Sequence, residues 1–232
     1  MKAYGTYLQL GLHVLALLPL LWLLWQVGLL LNVQAHALTA NPFQYVNQYT
    51  GDWAIRFLLL SLAITPLRRA LKQNWLIRWR RPLGLYAFVY ALLHLTNYLV
   101  LDHFFDWAVI WKDLVKRPAM MLGMVAFVLL LPLAATSTKT MIRRLGRLWS
   151  RLHRLVYLIA ALAVGHHLMM VKADLREPLI HLAILLVLLG LRGYWVLRYR
   201  RRLAFPLQAG VEYQHETDDA YSVCRQRRHR AL

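Results

Sequence analysis

RPLGLYAFVYALLHLTNYLVLD, residues Arg81–Asp102, reads as a single crossing of a lipid bilayer. No Asp, Glu, Lys or Arg falls between Leu83 and Leu101, and a helix needs about 20 mostly apolar residues to cross the hydrocarbon layer. Inside that run sits one imidazole, His94. A group that can carry charge is expensive in lipid, so its presence asks for a chemical role or a polar partner.

The pattern recurs on both sides. Leu8–Leu31, Trp53–Leu67, Ala119–Ala135, Leu152–Val171 and Pro178–Leu197 are further apolar runs without an acidic residue. With Leu83–Leu101 they predict a six-transmembrane-helix bundle, an all-α integral membrane protein over residues 1–202, followed by a polar tail over 203–232. Trp53–Leu67 is short, and is expected to borrow residues such as Tyr49 or to thin the bilayer around it. All ten acidic residues lie outside the six runs. Pro82, Pro118 and Pro178 are expected at helix starts, where a missing N–H costs nothing. Pro19 and Pro132 are expected to kink their helices. Ala35-His36-Ala37 resembles a signal-peptide cleavage site, but the 24-residue run before it is too long for a signal peptide, so the first run is expected to remain as a span.

Composition agrees with this reading. Hydrophobic residues make up 59% and charged residues 16%, against about 25% charged in a soluble domain. So apolar a chain is not disordered. The net charge of +18, from 28 Lys+Arg against 10 Asp+Glu, would suit a polyanion binder, but the long uncharged runs exclude nucleic acid as the partner. A single cysteine, Cys224, excludes an intrachain disulfide and a covalent haem motif.

The positive charge is sorted along the chain. Arg68, Arg69, Lys72, Arg78, Arg80 and Arg81 lie between the second and third runs. Lys139, Arg143, Arg144, Arg147 and Arg151 lie between the fourth and fifth, and Arg198, Arg200, Arg201 and Arg202 lead into the tail. Asn32–Asp52 has no Lys or Arg, and Asp102–Arg117 balances three basic residues against three Asp. Positive loops stay on the cytoplasmic side, which places both termini there.

Direction then gives depth. The third and fifth runs both start at the cytoplasm. His94 is 13 residues beyond Arg81 and His166 is 15 beyond Arg151, roughly 20 and 22 Å at 1.5 Å per residue. Two imidazoles at one depth on two helices can ligate a haem iron from both sides. His153 lies roughly 20 Å lower in the fifth run, a spacing that suits two stacked redox cofactors. On an ideal helix, 13 residues rotate about 220° whereas 14 return to within about 40°, so His167 shares the face of His153 and is an alternative ligand to His166. At the depth of His153 the third run offers Arg80 and Arg81, with Arg78 close by. Arginine stays protonated and does not ordinarily ligate iron, but it can bind a propionate, a flavin phosphate or a quinone oxygen. His13 is a further candidate near that surface, with helix packing as its competing role. Arg56 could meet a propionate, with snorkelling as the competing role.

Several stretches together resemble a known family. They are Ile64-Thr65-Pro66-Leu67-Arg68, Arg80-Arg81-Pro82-Leu83-Gly84-Leu85-Tyr86-Ala87-Phe88 with Leu93-His94-Leu95-Thr96, Thr136-Ser137-Thr138, Leu148-Trp149-Ser150-Arg151-Leu152-His153-Arg154-Leu155-Val156-Tyr157, and His166 followed by Val171-Lys172-Ala173-Asp174. Over roughly Leu8 to Tyr199 the chain resembles the MsrQ (YedZ) family, haem-binding membrane subunits of the bacterial protein-methionine-sulfoxide reductase system, within the ferric-reductase-like transmembrane proteins.

The resemblance implies haem b, one or two per chain, in a bacterial inner membrane. It implies electrons taken from membrane quinol and passed to a periplasmic molybdopterin-containing catalytic subunit, MsrP, which reduces methionine sulfoxide in oxidised proteins. FMN and a cytosolic flavin reductase are also associated with the family. By position the family's haem histidines map onto His94, His153 and His166. Larger ferric-reductase-like relatives carry two His in the third helix and a cytosolic flavin and nicotinamide domain. This chain has only His94 there, and a 30-residue tail, so its electrons are expected from quinol or another protein. Readings from other classes are a small His-containing transporter or proton-conducting protein, against which the acid-free runs argue, a subunit with a different acceptor, and an anchor with structural histidines.

Overall fold

The computed structural model describes residues 2–35, 37–171 and 174–199, with no strand among them. The expected tail over 203–232, Arg200–Arg202, Cys224, His36 and the Lys172-Ala173 pair lie outside the described residues. The chain forms two compact units, residues 1–188 and 189–232. In the second unit the described residues, up to Tyr199, continue a helix.

The helices are α1 Lys2–Leu31, α2 Pro42–Leu71, α3 Ile77–Asn97, α4 Trp107–Lys116, α5 Pro118–Ala135, α6 Lys139–Leu145, α7 Arg147–Leu152 and α8 Val156–Met170. A last helix, α9, covers Arg176–Tyr199. A 3₁₀ turn at Asn74–Leu76 leads into α3, a π turn at Tyr98–Asp102 ends it, and a 3₁₀ turn at His153–Leu155 joins α7 to α8. Among the described residues, five helical stretches are long and apolar enough to cross a membrane: Tyr7–Leu31, Asn74–Asp102, Pro118–Ala135, Arg147–Met170 and Arg176–Tyr199.

α2 is not among these five, and its length corrects the short second run. α2 is 30 residues long, about 45 Å at 1.5 Å per residue, so it needs no thinned bilayer. It begins with Asn41 accepting from the Gln44 N–H and with Pro42 in the first turn, an N-terminal pair that satisfies one free donor and removes another. Hydropathy underrates it because Asp52 and Arg56 lie inside it. Asp52 is therefore within a helix, not in a loop. α2 tolerates these groups because protein, rather than lipid, covers it: Ile55, Phe57, Leu58, Leu59, Leu62 and Ile64 are all buried.

One other expectation changes. Pro82 lies inside α3, not at its start; the carbonyl it cannot bond belongs to the exposed Arg78 near the helix end, where water can serve it. Pro118 does sit in the first turn of α5. Pro19 lies inside α1, and on that stretch Tyr90 Oη donates to the Ala16 carbonyl at 2.9 Å and Tyr49 Oη to the Pro19 carbonyl at 3.2 Å. These hydroxyls tie α1 to α2 and α3. The closest helix pairs are α2 with α3 and α5 with α8, and the site is made where the two pairs meet.

Candidate functional site

His94 lies in the last turn of α3, and its Nδ1 is 2.8 Å from the carbonyl oxygen of Asn47 on α2. His166 lies near the end of α8, and its Nδ1 is 2.6 Å from the carbonyl oxygen of Ala119 on α5. A carbonyl only accepts, so each ring donates Nδ1–H and keeps its Nε2 lone pair free. Metal-ligating histidines are held in the same way, with the second ring nitrogen on a backbone carbonyl.

Both contacts use one device. Gly51 is four residues beyond Asn47, and Gly123 four beyond Ala119. On a helix the i+4 side chain stands on the same face as the i carbonyl. Glycine there lets the imidazole reach the backbone. A Cβ at Gly51 would lie 3.0 Å from His94 Nδ1, and one at Gly123 would lie 2.8 Å from both Nδ1 and Cε1 of His166. Thus α2 seats the ring of α3, and α5 seats the ring of α8.

The two seated rings face one another with centroids 6.2 Å apart and planes at 81°. An imidazole nitrogen bonds a metal at about 2 Å and sits roughly 1 Å from its ring centre, so two rings on opposite sides of one ion have centres about 6 Å apart.

His167 turns elsewhere. Its Nδ1 is 3.6 Å from Asp52 Oδ1 on α2, and its ring centre is 5.4 Å from that of His181 on α9. Asp52 Oδ1, His167 Nε2 and His181 Nδ1 are buried without a hydrogen bond. Arg56 pairs with Glu177 at 3.3 Å and lies over the Trp53 ring, so its described partners are a carboxylate and an indole. His13 Nδ1 is 2.8 Å from Tyr86 Oη.

A scan against family models matches residues 50–164 to the ferric reductase like transmembrane component. A protein-methionine-sulfoxide reductase heme-binding subunit MsrQ from Caulobacter vibrioides is 49% identical over 172 residues, covering 74% of this chain and 79% of that protein. Subunits of the same description from Herminiimonas arsenicoxydans and Xanthomonas oryzae pv. oryzae are each 48% identical, over 85% and 83% of this chain and 89% and 88% of theirs. The chain belongs to the MsrQ family.

As an MsrQ-family chain it is a multi-pass membrane protein. The remaining residues singled out from its sequence sit at the opposite end of α3 and α8 from the paired rings. His153 begins the 3₁₀ turn, its ring stacked on Trp149 with centres 4.0 Å apart and Nδ1 3.1 Å from the Trp149 carbonyl. Arg80 lies within electrostatic reach of it, and Ser61 Oγ donates to the Arg80 carbonyl at 3.0 Å. Arg78 and Arg81 are exposed. Trp149 Nε1 donates to the Thr136 carbonyl, which ties α7 to the end of α5 and sets the height of His153.

The glycines, the two carbonyls, Asp52 and His181 were not reached from the sequence. A signal for the glycines exists: each is the one glycine of its helix and lies in the N-terminal third, with a histidine of another helix at matching depth. The Asp52–His167–His181 group left no such signal, because Asp52 reads as a loop residue when α2 is taken as Trp53–Leu67.

Proposed function

We propose that this chain is a haem-binding electron-transfer subunit of a methionine-sulfoxide reductase system. The observation that carries the reading is the pair His94 and His166, each with Nδ1 on a backbone carbonyl beside a glycine, and with ring centres 6.2 Å apart. That donor set fits a b-type haem: two neutral imidazoles of fixed tautomer, in an apolar bundle, with Nε2 free on each. A bound haem supplies one-electron transfer. Two histidine ligands leave no open iron position, which suits transfer rather than oxygen activation.

The chain's own residues do the rest. Asn47 and Ala119 orient the rings through their carbonyls. Gly51 and Gly123 admit them. Asp52 and His167 link α2 to α8 beside the pair. The relatives' description as heme-binding subunits supports the cofactor, and their reductase name supports a catalytic partner. We take membrane quinol as the donor and a periplasmic molybdopterin subunit, MsrP, as the acceptor, docking at the Asn32–Asn41 and Asp102–Arg117 loops. Those loops are poor in net positive charge, as expected outside a bacterial inner membrane with both termini cytoplasmic. The exposed Arg78 and Arg81 and the half-buried Arg80, beside His153, form the cationic surface that an FMN phosphate or a flavin reductase would meet.

Purified, haem-replete protein should show a Soret band that shifts on dithionite reduction, and His94→Ala should abolish or alter it. Colourless protein would sink the proposal. One observation favours a second reading, proton conduction: Asp52 lies within a helix against His167 and near His181. Colourless protein that collapses a pH gradient in liposomes would establish that reading instead.

A further inference from the structure

We propose that α4 lies in the membrane interface, with its apolar face on lipid and its lysines turned to the headgroups. α4 has no freedom of height: four residues, His103–Asp106, separate it from the π turn that follows α3, and Arg117 alone separates it from α5. Both neighbours end at the membrane surface, so α4, about 15 Å long, is held at that level.

Its sequence is sorted around the axis. At 100° per residue, Ile110, Leu114, Trp107, Trp111 and Val115 fall on one continuous arc, and Lys112, Lys116 and Asp113 on the other. The rest of the protein covers one edge of the apolar arc. Ile110 is buried at 7% exposure, while Trp107, Trp111 and Val115 are 66%, 68% and 60% exposed. On the polar arc, Asp113 pairs with Arg117 at 3.4 Å and lies 3.9 Å from His103 Nε2, which fixes the rotation of the helix.

What covers the exposed arc follows from its surroundings. It continues without a polar break into an apolar groove between α4 and α5, lined by Leu114, Val115, Met121, Met124 and Val125. Beyond the groove is the flank of α5, which has no charged residue from Pro118 to Ala135 and exposes Val125 and Val128. That flank faces hydrocarbon. A protein seated on Trp107, Trp111 and Val115 would have to enter the plane of the bilayer. Tryptophan at the headgroup level and lysine on the opposite arc are the pattern of interfacial helices. The consequence is that a partner approaching this loop meets the exposed Lys112 and Lys116, not the tryptophans.

The test uses the full chain in nanodiscs of phosphatidylethanolamine and phosphatidylglycerol, with Cys224→Ser removing the one native thiol. Single cysteines are placed by Trp111→Cys, Val115→Cys, Lys112→Cys and Lys116→Cys. A membrane-impermeant maleimide should react about tenfold more slowly at 111 and 115 than at 112 and 116. Equal rates at all four positions would overturn the proposal. Where a cysteine variant does not fold, brominated lipids give the second reading. They should quench the native tryptophan emission, and the Trp107→Phe/Trp111→Phe variant should lose a measurable part of that quenching. An unchanged quenched fraction would place these indoles away from lipid and refute the assignment.

Discussion

A methyl group at Gly123 would sit 2.8 Å from two ring atoms of His166, and one at Gly51 would sit 3.0 Å from His94 Nδ1. Both substitutions gain helix propensity, worth up to about 1 kcal/mol for Gly→Ala. Overpacking costs about 1–3 kcal/mol. The shorter contact decides the sign at Gly123: Gly123→Ala should lower the melting temperature and weaken or shift the Soret band. At Gly51 the two effects nearly offset, so Gly51→Ala should retain stability and show the spectral change alone. Absorbance and thermal melts of the two variants check both outcomes. The neighbours His166 and His167 separate in the same measurement. His166 faces His94, and His167 faces Asp52 and His181. His166→Ala should lose or alter the haem spectrum, whereas His167→Ala should keep it. The reverse result would move the ligand to His167. The ideal-helix phase that pairs His167 with His153 does not decide which ring meets α3: His166 stands opposite His94, while His167 reaches Asp52 on α2 and His181 on α9.

Among the elements, α2 departs most from its hydropathy. It looks like the weakest span, yet it buries eight residues and carries Asp52 within the helix. The Asp52–His167 contact at 3.6 Å crosses from α2 to α8, one residue from Gly51 on one side and from His166 on the other. At 3.6 Å the two groups touch without a hydrogen bond, so truncating Asp52 removes interior packing against the imidazole and leaves a cavity, which costs about 1–3 kcal/mol. Asp52→Ala should therefore destabilise the protein by that amount in denaturant melts. Glu177→Gln, which breaks the more exposed Arg56–Glu177 pair, should change stability by about 1 kcal/mol or less. Equal losses from the two would remove the case for Asp52 as an interior strut. Of these two contacts, neither was legible in the sequence. Each joins residues more than a hundred positions apart, and hydropathy treats both acids as loop markers.

For the whole molecule, the sorting of charge makes an orientation that can be measured. Alkaline phosphatase fused after Asp106 should be active, and the same enzyme fused after Lys139 or at the C-terminus should be silent. Activity at Lys139 would invert the bundle and place the His94–His166 end on the cytoplasmic side. The all-helical membrane architecture and five of the six expected runs were legible in the chain, because insertion in lipid depends on local hydropathy and flanking charge, which are one-dimensional properties. So was the shared depth of His94 and His166, since rise per residue is fixed once a helix is straight enough. The seats were not legible: which carbonyl each ring reaches, which glycine admits it, and which of two adjacent histidines turns inward. Those depend on the azimuth of one helix against another. Azimuth is set by side-chain packing and by two absent Cβ atoms. The sequence by itself determined a membrane bundle with imidazoles at one level; only the tertiary structure decided that His94 and His166 face each other, because close packing of α2 on α3 and of α5 on α8 leaves each ring a single place to go.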